Sequence, residues 1–245
     1  MSHPVVFLLP GLMCDEAVWR HQAKVLAAVA DVHIPVFRGF TSLDAMAAHV
    51  LAQAPQQFAV VGHSMGGRVA FEVMAQVLAQ PEDKLNRKRI SHFAVMDTGA
   101  HPVHDGEAVK RQLLLDAAAR KGLQAVADAW ILPMLHPSHH ADAALVADIN
   151  AMILRNTVDD YRGQVQALLG RGDQRLLLPR IKLKTWLLCG DADGWSPVSQ
   201  HEDMQLLLPR SELRVIANAG HMSTMEQPAA VSAALLEWIS EKADD

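Results

Sequence analysis

Phe58-Ala59-Val60-Val61-Gly62-His63-Ser64-Met65-Gly66-Gly67 runs from an apolar strand-like segment, through a serine framed by glycines, into an amphipathic helical pattern. Residues 62–66 spell G-x-S-x-G in the strand–turn–helix setting that gives the motif its meaning. A sharp, strained turn there holds the serine hydroxyl above the end of a sheet. Gly62 and Gly66 are required because a side chain at either position would collide across so tight a turn. Ser64 is the candidate nucleophile. Taken alone, the five residues also fit a Gly-Ser loop that merely opens a helix, so the rest of the chain must decide.

On both sides of this stretch, short apolar runs alternate with helical patterns. Val5–Leu9, Val32–Phe37, Phe58–Gly62, Ile90–Asp97, Thr185–Cys189 and Leu213–Ala217 read as strands. Ala17–Ala30, Leu43–Ala54, Met65–Gln80, Ser199–Leu207 and Ala229–Ser240 carry apolar residues at helical spacing. Pro10-Gly11, Pro81, Pro197, Pro209 and Pro228 supply the stops. The alternation predicts an α/β fold, a doubly wound and mainly parallel sheet with helices on both faces. Ligands bind beyond the carboxyl ends of the strands in such a sheet, and Ser64 falls at one of those ends.

The alternation stops between Gly99 and Arg180. Glu107–Lys121, Leu123–Leu132, Ala141–Asn156 and Val158–Leu169 read as helices, punctuated by Pro133, Pro137 and Gly170. We expect residues 99–180 to form a helical cap inserted into a core of residues 1–98 and 181–245. The charged stretch Glu82–Arg89 reads as a solvated loop before a strand.

Composition narrows the function classes. The chain has 245 residues, 50% apolar and 20% charged, with a net charge of -5, which leaves no basic footprint for nucleic acid. No apolar stretch is long enough to span a membrane. Met1-Ser2-His3-Pro4 lacks the regions of a signal peptide, and Cys14 and Cys189 lie far apart, so a cytoplasmic protein with unpaired thiols is expected. A monomer or homodimer acting on a small molecule fits this composition.

A serine hydroxyl needs a base to take its proton and a carboxylate to orient that base. Of the 13 histidines, His221 follows the last predicted strand and precedes the final helix, in a loop at the sheet edge that carries Ser64. His63 adjoins the serine but should point away around the turn. Two carboxylates compete for the third place. Asp97 ends the strand Ile90–Asp97, and Asp193 follows Thr185–Cys189; the order Ser…Asp…His favours Asp193. Asp191 reads as holding its turn by backbone hydrogen bonds. A calcium loop beginning at Asp191 is rejected because the position that needs glycine is Ser196.

The developing oxyanion needs two N–H donors. Met65 follows the nucleophile at a helix start, and Leu12 lies in the turn Leu9-Pro10-Gly11-Leu12-Met13. Met13, Trp130, Trp195 and Met222 are the candidate pocket residues, with an apolar acyl or alcohol group as their partner. Arg155, Arg162 and Arg171 read as solvent-exposed, with substrate carboxylate binding as the alternative. The spacing in His136-Pro137-Ser138-His139-His140 fits no established metal site. Neither metal nor organic cofactor is called for.

Four motifs stand in order: Pro10-Gly11-Leu12-Met13, Gly62–Gly67, Gly190-Asp191-Ala192-Asp193, and Gly220-His221-Met222 running on to Pro228. With them the chain resembles the α/β-hydrolase fold superfamily from about Val5 to Ile239, in the style of small bacterial carboxylesterases, enol-lactonases and carbon–carbon bond hydrolases. The resemblance implies a Ser64–His221–Asp193 triad. It also implies a trimmed sheet of about six strands, because the family's extra N-terminal strand pair is missing, with the cap after the sixth family strand. Pro10-Gly11 replaces the His-Gly that many relatives carry. The expected activity is serine hydrolysis of a carboxylic ester or lactone through an acyl-enzyme. Carbon–carbon hydrolysis on the same triad, a hydroxynitrile lyase-like reaction and a ligand receptor are the alternatives.

Overall fold

The computed structural model describes residues 3–80 and 88–242. Pro81 and residues 82–87 of the expected charged loop lie outside the described residues. Six parallel strands form one sheet: β1 (Val5–Leu9), β2 (Asp31–His33), β3 (Phe58–His63), β4 (Ile90–Met96), β5 (Thr185–Gly190) and β6 (Ser211–Ile216), in the order β2-β1-β3-β4-β5-β6. Flanking helices are α1 (Arg20–Leu26), α2 (Leu43–Gln53), α3 (Met65–Leu78), α8 (Val198–Leu207), α9 (Ser223–Glu226) and α10 (Pro228–Ser240). Between β4 and β5 lie α4 (Glu107–Lys121), α5 (Gln124–Met134), α6 (Ala143–Leu154) and α7 (Val158–Leu169).

Side chains alternate across each strand, so each strand feeds two cores. Val6, Leu8, Val61, Met96, Trp186 and Leu188 face one side, and share an apolar cluster with Trp238 of α10. Phe7, Leu9, Val60, Phe93, Val95 and Leu187 face the other, against Met46 of α2 and Phe71 of α3. Every residue of β3 and β5 is buried, which explains their near-continuous apolar reading. The helices between β4 and β5 are not a detached layer. Trp130, Met152 and Tyr161 belong to the same buried cluster as Leu8 and Val61.

Two expected elements change most. The strand read as Val32–Phe37 pairs only over Asp31–His33 with β1, at the sheet edge; Pro35 has no N–H to offer a ladder there. The helix read as Ala17–Ala30 divides into a 3-10 turn, Glu16–Trp19, and α1. Asp15 caps the turn by accepting the N–H of Ala17 at 3.0 Å.

This topology places the site. Chain direction across the sheet reverses between β1 and β3, whose carboxyl ends are in register at Leu9 and Gly62. A crevice opens where the loops leave in opposite directions.

Candidate active site

Four described non-glycine residues have a left-handed backbone: Met13 (φ 61), Ser64 (φ 55), Asp97 (φ 49) and Asn218 (φ 55). All four lie just beyond the carboxyl ends of β1, β3, β4 and β6. Strain of this kind costs about 1–3 kcal/mol per residue and concentrates where geometry matters more than stability.

Ser64 stands between β3 and α3 with φ 55 and ψ -117. Its N–H donates to the Met96 carbonyl at 2.9 Å, and its carbonyl accepts the Thr98 hydroxyl at 2.8 Å. A Cβ on Gly62 would lie 2.1 Å from the Gly66 carbonyl oxygen, and one on Gly66 would lie 2.1 Å from that of Leu9. Backbone meets backbone in both cases, so neither neighbour can yield. Gly66→Ala is therefore expected to cost at least about 3 kcal/mol, the upper end for overpacking. Gly172, with nothing within 4 Å of its would-be Cβ, is the control, expected within about 0.5 kcal/mol as alanine. Urea denaturation of both variants checks this.

His221 Nε2 lies 2.8 Å from the Ser64 hydroxyl oxygen, and its Nδ1 lies 2.8 Å from Asp193 Oδ2. The other oxygen of Asp193 accepts the N–H groups of Trp195 (2.8 Å) and Ser196 (2.9 Å). Burial alone would raise this carboxyl. The adjacent His221 charge, its hydrogen bond and the two amides outweigh burial and hold Asp193 down to about 2. His221 shows the complement: burial lowers it, and Asp193 more than reverses this, so its affinity for a proton exceeds that of an ordinary imidazole.

The loop bearing His221 is held from three directions. Its N–H donates to the Met134 carbonyl at the end of α5 (2.7 Å), and its carbonyl accepts from His63 Nε2 (2.8 Å). Asp191 accepts the N–H groups of Asn218 (3.0 Å) and Ala219 (3.1 Å), the turn-holding role expected of it. His63 faces the His221 main chain and not the Ser64 hydroxyl, and burial lowers its pKa to about 4. A neutral ring with Nε2 donating fits that contact.

Asp97 lies behind the hydrogen-bonded chain. Its Oδ1 accepts the Gly190 N–H at 3.0 Å, and Ser223 donates its hydroxyl to Oδ2. Burial and the charge of Asp193 push the Asp97 carboxyl well above the usual carboxylate range.

Among the described residues, the N–H groups of Leu12 and Met65 are given to no protein acceptor. A Cβ on Gly11 would lie 3.2 Å from that of Ser64, so the turn after β1 sits directly against the serine. Two amide side chains hold that turn. Gln164 of α7 accepts the Met13 N–H (2.8 Å) and donates to the Phe37 carbonyl (2.9 Å), while Asn156 donates to the Met13 carbonyl (2.9 Å).

A cavity of about 520 Å³ opens over Ser64. Trp130, Trp195 and Met222 line it with Leu12 and Met65. Trp130 packs edge-on to Trp195 at 5.4 Å, and Trp195 lies 5.1 Å from the His221 ring. Met13 does not join them. Expected at the pocket, it is fully buried in the apolar core, because the left-handed backbone at this residue turns its side chain away from the cavity.

The arginines also separate. Arg155 grips Asp15 (2.6 and 2.9 Å) and Arg162 pairs with Asp159, both away from the cavity. Arg171, read as exposed, is buried and lines the cavity, paired with Glu107. In the histidine run, His139 Nε2 meets the Asn218 carbonyl (3.0 Å) and His140 Nε2 that of Leu135 (3.3 Å), which employs both rings in loop packing. Sequence reasoning missed Arg68, Asn156 and Gln164: the residue types are visible in the sequence, but their partners lie far along the chain.

A parallel sheet with a hydroxyl, an imidazole and a carboxylate hydrogen-bonded in sequence at its carboxyl edge defines a hydrolase-type α/β protein. The chain belongs to the alpha/beta hydrolase family, whose pattern matches residues 5–234. It is 22% identical over 97% of its length to the biotin biosynthesis bifunctional protein BioHC of Cellvibrio japonicus, and spans 48% of that longer protein. It is 24% identical to a pimeloyl-[acyl-carrier protein] methyl ester esterase of Vibrio vulnificus, covering 96% of this chain and 94% of the relative. A thermophilic esterase from Thermogutta terrifontis superposes with a TM-score of 0.84 at 25% identity, covering 97% of this chain and 90% of the other. Among the described residues, no helix is long and apolar enough to cross a membrane.

Proposed function

We propose that the protein is a serine hydrolase that cleaves a small carboxylic ester or lactone through an acyl-enzyme. The observation that carries this reading is the unbroken chain Ser64–His221–Asp193, with both links at 2.8 Å. His221 takes the Ser64 proton as the hydroxyl oxygen attacks the ester carbonyl. The N–H groups of Leu12 and Met65 receive the oxyanion, and the start of α3 adds its dipole at Met65. The imidazolium, stabilised by Asp193, then protonates the departing alcohol. Water enters, gives its proton to His221 and releases the acid, restoring Ser64.

Helices α4–α7 act as a cap that supplies the apolar wall Trp130, Met134 and Met152, suited to an apolar acyl or alcohol part. The names of the relatives, methyl ester esterase and esterase, favour ester over carbon–carbon cleavage. Two buried, unpaired thiols, Cys14 and Cys189, suit a reducing cytoplasm.

The test is a chain-length series of p-nitrophenyl esters with wild type and Ser64→Ala, identifying the released acid and alcohol. Turnover that vanishes in the variant is expected; a well-folded wild type inactive across the series contradicts the reading. The hold on the oxyanion turn gives a second expected result. Gln164→Leu removes the acceptor of the Met13 N–H, and kcat should fall about 10- to 100-fold with KM little changed, following the 1–3 kcal/mol cost of an orphaned amide. Gln164→Glu keeps an acceptor and should recover much of the rate. Steady-state kinetics of the pair decide this.

A further inference from the structure

The cavity has two chemically different walls. Besides its apolar wall, the cavity is lined by Arg68, Lys110, Arg111 and Arg171 and by the carboxylates Asp105 and Glu107. These cations are not equivalent. Arg171 is fixed to Glu107, with Nη1 2.8 Å from Oε1, and Arg111 donates Nε to the same oxygen at 2.8 Å. Among the described residues Arg68 makes no ion pair, and the Glu107 charge reaches it only from beyond contact distance. The partners of Arg68 are the His101 carbonyl (Nη1, 2.9 Å) and the His101 ring (Nη2 to Nε2, 3.4 Å), and the residue is only 8% exposed.

A guanidinium taken out of water without a counter-charge is expensive to keep. An anion entering the cavity supplies what the fold withholds. The surroundings show the same positive field: burial, together with the charges of Arg68 and Arg171, lowers the His101 ring to about 4, leaving it neutral and able to accept from Arg68. Arg68 stands one helical turn beyond Ser64, about 5–6 Å along α3. Both residues line the same cavity, which gives one bound molecule access to both.

We propose that Arg68, backed by Lys110 and Arg111, forms a subsite for a carboxylate carried by the acyl group. The preferred substrate class is then a monoester of a dicarboxylic acid, with the ester carbonyl at Ser64 and the distal carboxylate on Arg68. This deepens the esterase reading and rests on it. A monoanionic carboxylate matches the single guanidinium that is left without an ion pair, since Arg111 and Arg171 are already held by Glu107.

The experiment compares mono-p-nitrophenyl adipate with p-nitrophenyl hexanoate, which differ at the chain end in carboxylate against methyl. Wild type is expected to favour the adipate in kcat/KM. In Arg68→Met that preference should fall about 10- to 100-fold, the worth of a charge-assisted hydrogen bond, mainly through KM. Arg68→Lys should retain part of it, and it carries the test if Arg68→Met does not fold. A wild type that favours hexanoate, or a preference unchanged by both variants, overturns the subsite. Calorimetry of adipate with Ser64→Ala separates this from the esterase reading. Binding that disappears when Arg68→Met is added supports the subsite even if neither ester turns over. No adipate binding, or tighter binding of inorganic phosphate, overturns the carboxylate assignment.

Discussion

Ser64→Ala and His221→Ala should each lower kcat by about a million-fold while leaving the fold intact, and the double variant should be no worse than either single one. The hydroxyl and imidazole lie 2.8 Å apart and work as one unit. In such units, losing either partner costs nearly as much as losing all. A residual rate above water is expected even then, because the Leu12 and Met65 N–H groups survive both substitutions. Ser64 carries a φ of 55 and its side chain caps no helical N–H, so alanine removes the hydroxyl without removing a structural hydrogen bond. Thermal melts should match wild type within a few degrees. Additive losses in the double variant would show that the two groups act separately.

The second large effect concerns which carboxylate serves His221. Asp193→Asn should lower kcat by about 10,000-fold, because an amide at Nδ1 favours the wrong imidazole tautomer and cannot stabilise the imidazolium. The pH profile should change as well. His221 must be neutral to accept the Ser64 proton, so activity rises with pH through its pKa. In wild type, Asp193 raises that pKa over the opposing burial, placing the midpoint of the acid limb above that of an ordinary imidazole. Without the Asp193 charge, burial dominates and the midpoint of the residual activity should move below that of wild type. Asp97 behaves differently. Its oxygens meet the Gly190 N–H and the Ser223 hydroxyl and not His221, and asparagine keeps its shape and an oxygen acceptor there. Asp97→Asn should therefore cost far less than Asp193→Asn. The reverse order in kcat would exchange their roles.

How far this site could be read in the sequence depended on the reach of each contact. Ser64 was legible because the two colliding glycines and the flanking strand and helix are local, and local sequence dictates them. His221 and Asp193 followed from topology: each lies in the loop after a strand of a parallel sheet, and all such loops leave from one edge. Asp97 and Asp193 were harder to separate, since both lie just past strand ends; the choice between them rests on which side chain meets His221 Nδ1. Met13 was misplaced because a methionine beside a turn reads the same facing in or out, and its left-handed backbone decides the matter. Arg171 and Arg68 were illegible for another reason. An arginine is buried here only because helices from the segment between β4 and β5 close over it, a tertiary event with no periodic signature. Gln164 meets Met13 across 151 residues, a distance at which spacing carries no information.

In this mechanism Ser64, activated by His221, forms the covalent bond with the acyl group. The most direct measurement is intact-protein and peptide mass spectrometry after treatment with a fluorophosphonate, which traps activated serines by losing fluoride. A single adduct on the peptide containing Ser64 is expected, absent in Ser64→Ala and formed much more slowly in His221→Ala. Ester turnover by a protein that takes up no label, or labelling that persists in Ser64→Ala, would contradict the mechanism.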